Sequence, residues 1–496
     1  MSTTILDFWR ANEAFWFPVT PEEKRVADTV IRERFATYDY TQDNVFGQVI
    51  FLDQFLRHFD READLSEPRK KACALVKEHL TELEGADEVE VVFSLMPFKH
   101  VGEYTFIFEF LHLRWLQGSP VSDFPLVARF YKDTYRKTFT LDAVMAGLQF
   151  DHEEASAFAP ATICEYYPLA FREYSWSPLN GMPQQPLEEK LAGLGPLMVS
   201  LSGGVDSMVM LALLVRLRIP CIAVHIIYGN RDVSDQEYGF VAAYCYRLGV
   251  PMVSYTIPWI RRNMIDREFY EEMTRTLRFL TYQAAAQATG YPATVLLGHI
   301  RDDVVENVWT NLAKGQHLGN LKKMAAQETQ MGVEIRRPFL DVEKEEIYAC
   351  SRALAVPFLK NTTPSWSNRG KFRERFHAAT VAQFGAGVDG KIVEVAEMLE
   401  RQHRLIEKLL YEPILQSGPE SYDVSTAVAV GMDEVGWSTV LERICHVRGL
   451  RRPGIHAVRD LCERLPRIQE EMTIPMKRGI TIQVRRQEDR WSLRFL

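Results

Sequence analysis

Residues 197–214 read LMVSLSGGVDSMVMLALL. An apolar run from Leu197 to Leu201 leads into Ser202-Gly203-Gly204-Val205-Asp206-Ser207. A second apolar run follows with helical spacing, Val209, Met210, Leu213 and Leu214. The pattern predicts a buried strand, a glycine turn and a helix. Glycine accepts positive φ and lets a backbone approach a ligand closely. A turn of this kind aims amide N–H groups and the positive end of a helix dipole at one point, which suits a phosphate. Ser202 and Ser207 add hydroxyl donors, and Asp206 adds a carboxylate able to hold a cation against that phosphate. Glycine turns without a ligand are common, so the two glycines alone decide nothing. The whole hexapeptide, with a strand before it and a helix after it, is far more specific.

The loop lacks the Lys-Ser/Thr end of a Walker loop, so the chain is not a P-loop NTPase. It resembles the PP-loop of the ATP pyrophosphatase superfamily, whose members split ATP between the α and β phosphates and adenylate a substrate. The resemblance implies ATP as cofactor and transfer of AMP rather than of the γ-phosphoryl group.

From 197 to about 380, strand and helix patterns alternate. Ile219 to Ile227 is a near-continuous apolar run, as in a parallel strand buried on both faces. Gln236 to Leu248 and Thr274 to Thr289 read as helices, and Met252 to Ile257 and Ala293 to Leu297 as further strands. Such β-α-β repeats predict a doubly wound α/β domain with a parallel sheet. Ligands of these sheets bind beyond the carboxyl ends of the strands. SGGVDS, His225 with Tyr228, and Gly298-His299 all fall at such ends. In Gly298-His299-Ile300-Arg301-Asp302-Asp303-Val304-Val305-Glu306-Asn307, the residues His299, Asp303 and Glu306 are spaced four and three apart, so on a helix they share a face. Acids at a helix start are also what an ordinary first turn uses. Beside SGGVDS, chelation of Mg2+ by Asp206 and Asp303 is the sharper expectation, because magnesium takes few carboxylates and completes its shell with phosphate oxygens and water.

These stretches, taken in order, resemble tRNA(Ile)-lysidine synthetase and its relatives, the branch that also holds the 2-thiocytidine enzymes. The matching elements are SGGVDS, His225, Arg275-Thr276-Leu277-Arg278-Phe279, Gly298 to Glu306, Lys314 to Leu321, Arg337-Pro338-Phe339-Leu340, and the run Asn361 to Arg375, over about 180 residues. The resemblance implies an adenine nucleotide alpha hydrolase-like fold. It makes Ser202, Gly203, Gly204, Val205, Asp206, Ser207, His225, Gly298 and His299 the ATP-binding set, and Asp206, Asp303, Arg278 and Arg373 the catalytic candidates. It implies that the O2 of a tRNA cytidine attacks the α-phosphate and that an amine, lysine in the family, then displaces AMP at C2. The sequence departs from the family at Tyr228 and Ile300, where histidines are usual, at Asn307 for threonine, and at Thr363 to Asn368. It also lacks the cysteine pairs of the thiocytidine branch. Other readings of the same residues are adenylation of another RNA base or a small molecule, and a nucleotide- or RNA-binding scaffold without turnover. In Gly370 to Phe376, Lys371, Arg373 and Arg375 form either a solvated basic helix start or contacts to AMP or RNA phosphate.

Residues 1–135 read as helices rich in aromatic anchors, with Phe8, Trp9, Phe15, Trp16 and Phe17 near the start and a helical period from Val45 to Phe59. Asp53 and Arg57 sit inside that period, and Met96 to Glu103 carries His100. These motifs resemble a bacterial helical family of unknown function, DUF924, which implies an all-α, TPR-like domain. Asp53, Arg57, His100 and Glu103 form either a buried network that fixes helix packing or a small binding groove. Residues 136–195 read as a connector, broken by Met182-Pro183-Gln184-Gln185-Pro186. Residues 381–496 read as a C-terminal α+β region, helical over Val393 to Leu410, with strands at Ile480 to Val484 and Trp491 to Leu496. Its arginine-rich face comprises Arg448, Arg451, Arg452, Arg459, Lys477, Arg478, Arg485 and Arg486. That face suits either an ordinary small domain or tRNA phosphates.

The 496 residues predict two to four domains. The net charge of −8 carries no global signature of nucleic-acid binding, although averaging hides a local basic surface. Seven scattered cysteines without a C-x-x-C pair speak against a zinc ribbon and for a reducing compartment. With no basic-then-apolar leader and no window of 18 apolar residues, the expectation is a soluble cytoplasmic protein.

Overall fold

The computed structural model describes residues 4–151, 164–165, 185–230, 232–315, 319, 321–359, 368–385, 387–418, 421–450, 453–477 and 480–496. It divides into two units: Met1–Arg301 with Ala325–Ser365, and Asp302–Met324 with Trp366–Leu496.

In the first unit the apolar runs become a seven-stranded sheet. Its strands are β1 Gln149–Asp151, β2 Leu197–Ser200, β3 Cys221–Ile227, β4 Met252–Thr256, β5 Thr294–Leu296, β6 Gln327–Gln330 and β7 Val333–Arg336, in the order β1-β4-β3-β2-β5-β7-β6. The five inner strands are parallel; β1 and β6 close the edges antiparallel. Leu197, Met198 and Val199 of β2 and Ile222, Ala223 and Val224 of β3 are all buried, as strands covered on both faces require. The chain runs outward from β2 to β4 and then returns to β5 on the other side of β2. The crevice between β2 and β5 is therefore the point where the winding reverses. The β6–β7 hairpin escapes a reading by apolar pattern, because Gln327-Glu328-Thr329-Gln330 is polar throughout. Its turn is Met331-Gly332, both at positive φ, +46° and +73°, where Asn-Gly is the usual signal.

The N-terminal region is helical. Thr20 and Glu23 cap the helix Pro21–Phe35 reciprocally, and Asp87 and Glu90 do the same for Glu88–Val101, which Gly102 stops at φ +84°. Trp9, Phe35, Phe55 and Phe93 are buried in a core that continues without a break into Tyr255, Ile257, Phe269 and Leu277. The segment 136–195 holds the end of the helix Pro125–Thr138, the helix Leu141–Ala146, strand β1 and the helix Gln185–Leu191. Met182, Pro183 and Gln184 of the expected break lie outside the described residues.

The second unit carries the helix Val388–Ile406 and a four-stranded antiparallel sheet: β8 Tyr422–Ser425, β9 Glu471–Lys477, β10 Ile480–Arg486 and β11 Arg490–Phe495, in the order β8-β11-β10-β9. Trp437, Ile444 and Leu461 from the helices Glu434–Val447 and Ile455–Arg464 share its core with Ile474, Trp491 and Leu493. No helix among the described residues is long and apolar enough to cross a membrane.

Candidate functional site

The turn after β2 is built around Gly203, at φ +80°. A Cβ there would come 2.5 Å from Leu359 Cδ1 and 3.1 Å from Val241 Cγ2, and the Leu359 N–H donates to the Gly203 carbonyl at 2.9 Å. Conformation and space both demand glycine. Gly204 then opens the helix Val205–Arg216 with extended backbone and no capping side chain. The first amides of a helix have no partner within it, so this end presents donors suited to an anion. The serines brace the turn. Ser207 Oγ donates to the Gly204 carbonyl at 3.0 Å, the two hydroxyls lie 3.1 Å apart, and the Gly204 N–H donates to Ser202 Oγ at 3.3 Å.

Gly298, just beyond β5, lies against the start of that helix. A Cβ on it would stand 3.0 Å from the Ser207 nitrogen and 3.2 Å from the Asp206 carbonyl carbon. The two strand ends that flank the reversal therefore meet, as the sequence pattern requires. His225 is buried on β3, and its Nδ1–H donates to the Leu201 carbonyl at 2.7 Å, fixing the strand end from which the loop departs. His299 stands two residues before the helix Arg301–Ala313. Its Nδ1 accepts from Arg337 Nε at 3.0 Å, which assigns the ring proton to Nε2. Arg337 is itself buried, donates to the Ala325 carbonyl at 2.7 Å and pairs with Glu328. The Arg337-Pro338-Phe339-Leu340 motif thus supports the Gly298-His299 motif. Ile300, the residue beside them, is buried in the apolar core.

Arg278 lies within electrostatic range of Tyr228, the residue at one of the departures, and its Nε is buried without a partner among the described residues. Tyr282 donates its hydroxyl to Ser200 Oγ at 2.7 Å. Asp206 has a partner that sequence reading missed: Lys344 Nζ lies 2.8 and 2.9 Å from its two carboxylate oxygens. Lys344 begins the helix Lys344–Ala353, where a cation opposes the dipole, and Asp206 offsets that cost. A lysine at a helix start, after Glu343, was the available signal.

In the second unit, Asp303 and Glu306 are both buried one turn apart and share Arg373. Its Nη2 lies 3.0 Å from Asp303 Oδ1 and its Nε 3.5 Å from Glu306 Oε2. Asp206 belongs to the first unit and Asp303 to the second. Among the described residues no group of three or more His, Cys, Asp or Glu is placed to hold a metal ion. Magnesium does not need one, since a single carboxylate with hydroxyl, phosphate and water oxygens is a fitting donor set. A cation on Asp206 has to displace the ammonium of Lys344. Arg231, residues 316–318 and 320, and residues 361–367 lie outside the described residues.

The C-terminal arginines are partly engaged. Arg459 pairs with Glu434 at 2.9 Å, Arg486 donates to the Ile468 carbonyl at 3.2 Å and lies over Trp491, and Arg448 lies over Phe495. Arg451, Arg452, Arg478 and the side chain of Lys477 lie outside the described residues.

Residues 183–375 match the family model of the PP-loop domain. The tRNA(Ile)-lysidine synthase of Chlamydia muridarum is 29% identical over 206 residues, 40% of this chain and 62% of that protein. The protein of the same name from Vibrio vulnificus is 31% identical over 181 residues, 36% of this chain and 40% of its own length. The chain thus spans less than two thirds of these curated relatives. Among solved structures, the U34-tRNA thiolase NcsA from Methanococcus maripaludis aligns at 17% identity and a TM-score of 0.35, over 44% of this chain and 78% of that one.

Proposed function

We propose that this chain is an ATP-dependent tRNA-modifying ligase. It adenylates the C2 oxygen of a cytidine in tRNA(Ile) and replaces the AMP with lysine, forming a carbon–nitrogen bond. The observation that carries the reading is the SGGVDS turn held against Gly298 where the sheet reverses, inside the stretch that matches the PP-loop domain. The similarity to tRNA(Ile)-lysidine synthases supports the choice of substrate.

In the first step the cytidine O2 attacks the α-phosphate and pyrophosphate leaves. In the second the lysine amine bonds to C2 and AMP leaves with the oxygen. The glycine turn and the first amides of Val205–Arg216 hold the phosphates, and Arg278 and Arg373 are the cations assigned to developing negative charge. Asp206 and Asp303 are each assigned as a carboxylate ligand for magnesium, which when bound would neutralise phosphate charge. Most of the acceleration then comes from positioning and charge. The N-terminal helices are assigned to a DUF924-like, TPR-like accessory domain, and the C-terminal region to contact with the tRNA phosphates.

Labelled pyrophosphate should exchange into ATP in the presence of a tRNA(Ile) bearing a cytidine in its anticodon. Absence of exchange with every tRNA would sink the reading. A second reading, a nucleotide-binding scaffold without turnover, is favoured by Lys344 on both oxygens of Asp206. It predicts ATP binding in equilibrium dialysis with no AMP formed.

A further inference from the structure

The helix that begins at Val45 loosens into a π turn over Phe51–Phe55 before resuming as Leu56–Phe59. A π turn inserts a residue into the helix and redirects side chains, and such turns collect at functional sites. This one places Asp53 and Gln54 in the interior. The Asp53 carboxylate, fully buried, accepts from Arg69 Nε at 3.0 Å and from His100 Nδ1 at 2.7 Å, and Gln54 donates to it as well. On the helix Pro21–Phe35, Asp28 is taken by Arg61 at 2.8 Å and by His58 at 2.8 Å.

Both carboxylates are therefore committed, and one cation is left over. Arg57 lies within electrostatic range of Asp53, Asp28, Arg61 and Arg69. It makes no hydrogen bond or ion pair among the described residues, and its Nε is sealed from solvent. A guanidinium in that position is costly unless an anion or water meets it. Counting the arginines Arg57, Arg61 and Arg69 against the carboxylates Asp28 and Asp53, the cluster carries one positive charge in excess.

We propose that the N-terminal helices hold a binding site for a small oxyanion, formed by Arg57, Arg69 and His100 around Asp53. The planar fork of arginine matches the paired oxygens of a carboxylate or a phosphate. Asp53 fixes the His100 ring through Nδ1 and leaves Nε2 for the ligand. The Arg69 and His100 side chains are 26% and 27% exposed, so the buried cluster opens to solvent on their side. The ligand class is a carboxylate- or phosphate-bearing small molecule. The proposal does not rest on the reading of the PP-loop.

The test is calorimetric titration and thermal melting of the full chain with sodium phosphate and with sodium succinate, at ionic strength held constant with chloride. Arg57→Met is compared with the wild type. The PP-loop contributes equally to both proteins, so the difference between their isotherms isolates this site. The wild type should show a saturable event and an anion-dependent rise in melting temperature; both weaken at least about tenfold in Arg57→Met. Without anion, Arg57→Met should melt no lower than the wild type, because it removes an unpaired charge. A response to phosphate alone identifies a phosphate ligand, and a response to succinate alone a carboxylate. Identical isotherms in the two proteins for both anions overturn the proposal. So does an Arg57→Met that melts well below a wild type indifferent to either anion, since Arg57 then serves packing only.

Discussion

At the scale of single residues, the loop is held by what glycine permits and by what Lys344 neutralises. Gly203→Ala places a methyl 2.5 Å from Leu359 Cδ1 on a backbone at φ +80°. The left-handed conformation costs about 1–2 kcal/mol and the overlap about 1–3 more. Urea denaturation should show a loss of that order, partly recovered when Leu359→Ala is added; a variant as stable as the parent would contradict the contact. Lys344→Met tests the other constraint. The pair it breaks is about one-fifth exposed on each side, 21% and 22%, so the fold should lose no more than about 1 kcal/mol. With the ammonium gone from Asp206, Mn2+ measured by electron paramagnetic resonance without nucleotide should bind several-fold tighter, on the order of 1 kcal/mol. Exchange of pyrophosphate should meanwhile fall by roughly 10²-fold if the ammonium then serves phosphate charge. Unaltered Mn2+ affinity would show that Lys344 and the metal do not compete. Gly203, Asp206 and Gly298 were legible because their residue types are rare answers to a geometric demand. Lys344 was not: its place at a helix start marks a cation in need of a counter-charge, but nothing in the sequence points to a carboxylate 138 residues away.

At the scale of elements, legibility followed burial. Strands β2 and β3 are apolar along most of their length and declare themselves. By contrast β6 is exposed in alternate positions, and β8 and β9 bury only one face, so their composition carried little signal. The junction between the N-terminal helices and the sheet was also invisible in sequence, since it joins residues more than a hundred positions apart. Tyr135 donates to the Pro258 carbonyl at 2.9 Å, Tyr131 donates to the carbonyl of Trp259, and Arg136 pairs with Glu272 at 2.8 Å. Below these bonds Tyr255, Ile257, Phe269, Met273 and Leu277 share one core with the helices. A chain beginning at residue 185 uncovers that core and removes β1 from the sheet edge. Each fully uncovered large apolar side chain forfeits about 1.5–3 kcal/mol, which exceeds a domain's usual margin when several are lost together. The shortened chain should aggregate or bind a hydrophobic dye at temperatures where the full chain does not. A monomeric, cooperatively melting product would show that the sheet stands without the helices.

At the scale of the whole molecule, the shared core makes acid sensitivity of the N-terminal helices a property of the sheet as well. Burial pushes the His58 imidazolium down to about 4, against the opposing pull of Asp28, and burial does the same to His112, again to about 4. Both rings are thus neutral in the folded protein at pH 7, and His112 Nε2 bonds the Tyr131 hydroxyl at 2.8 Å beside the junction with Trp259. In the unfolded chain each titrates near 6.5. Between that value and 4 the unfolded state binds protons that the folded state refuses, so stability is full above about pH 6.5 and declines as the pH falls. The loss should reach about 2 kcal/mol for each histidine between pH 7 and pH 5 and level off below 4. Carboxylates add their own acid dependence, chiefly at lower pH, so the measurement is a difference. Urea midpoints of the wild type and of His58→Gln/His112→Gln, taken at half-unit steps from pH 7.5 to 4.5, should converge as the pH falls. The double variant, less stable at pH 7 for want of its native ring contacts, should lose less on acidification. Parallel curves would mean that neither imidazole is held neutral by the fold. Because one core joins helices and sheet, the same transition should be reported by probes in both; loss of helical signal with the β2–β5 region intact would contradict the shared core.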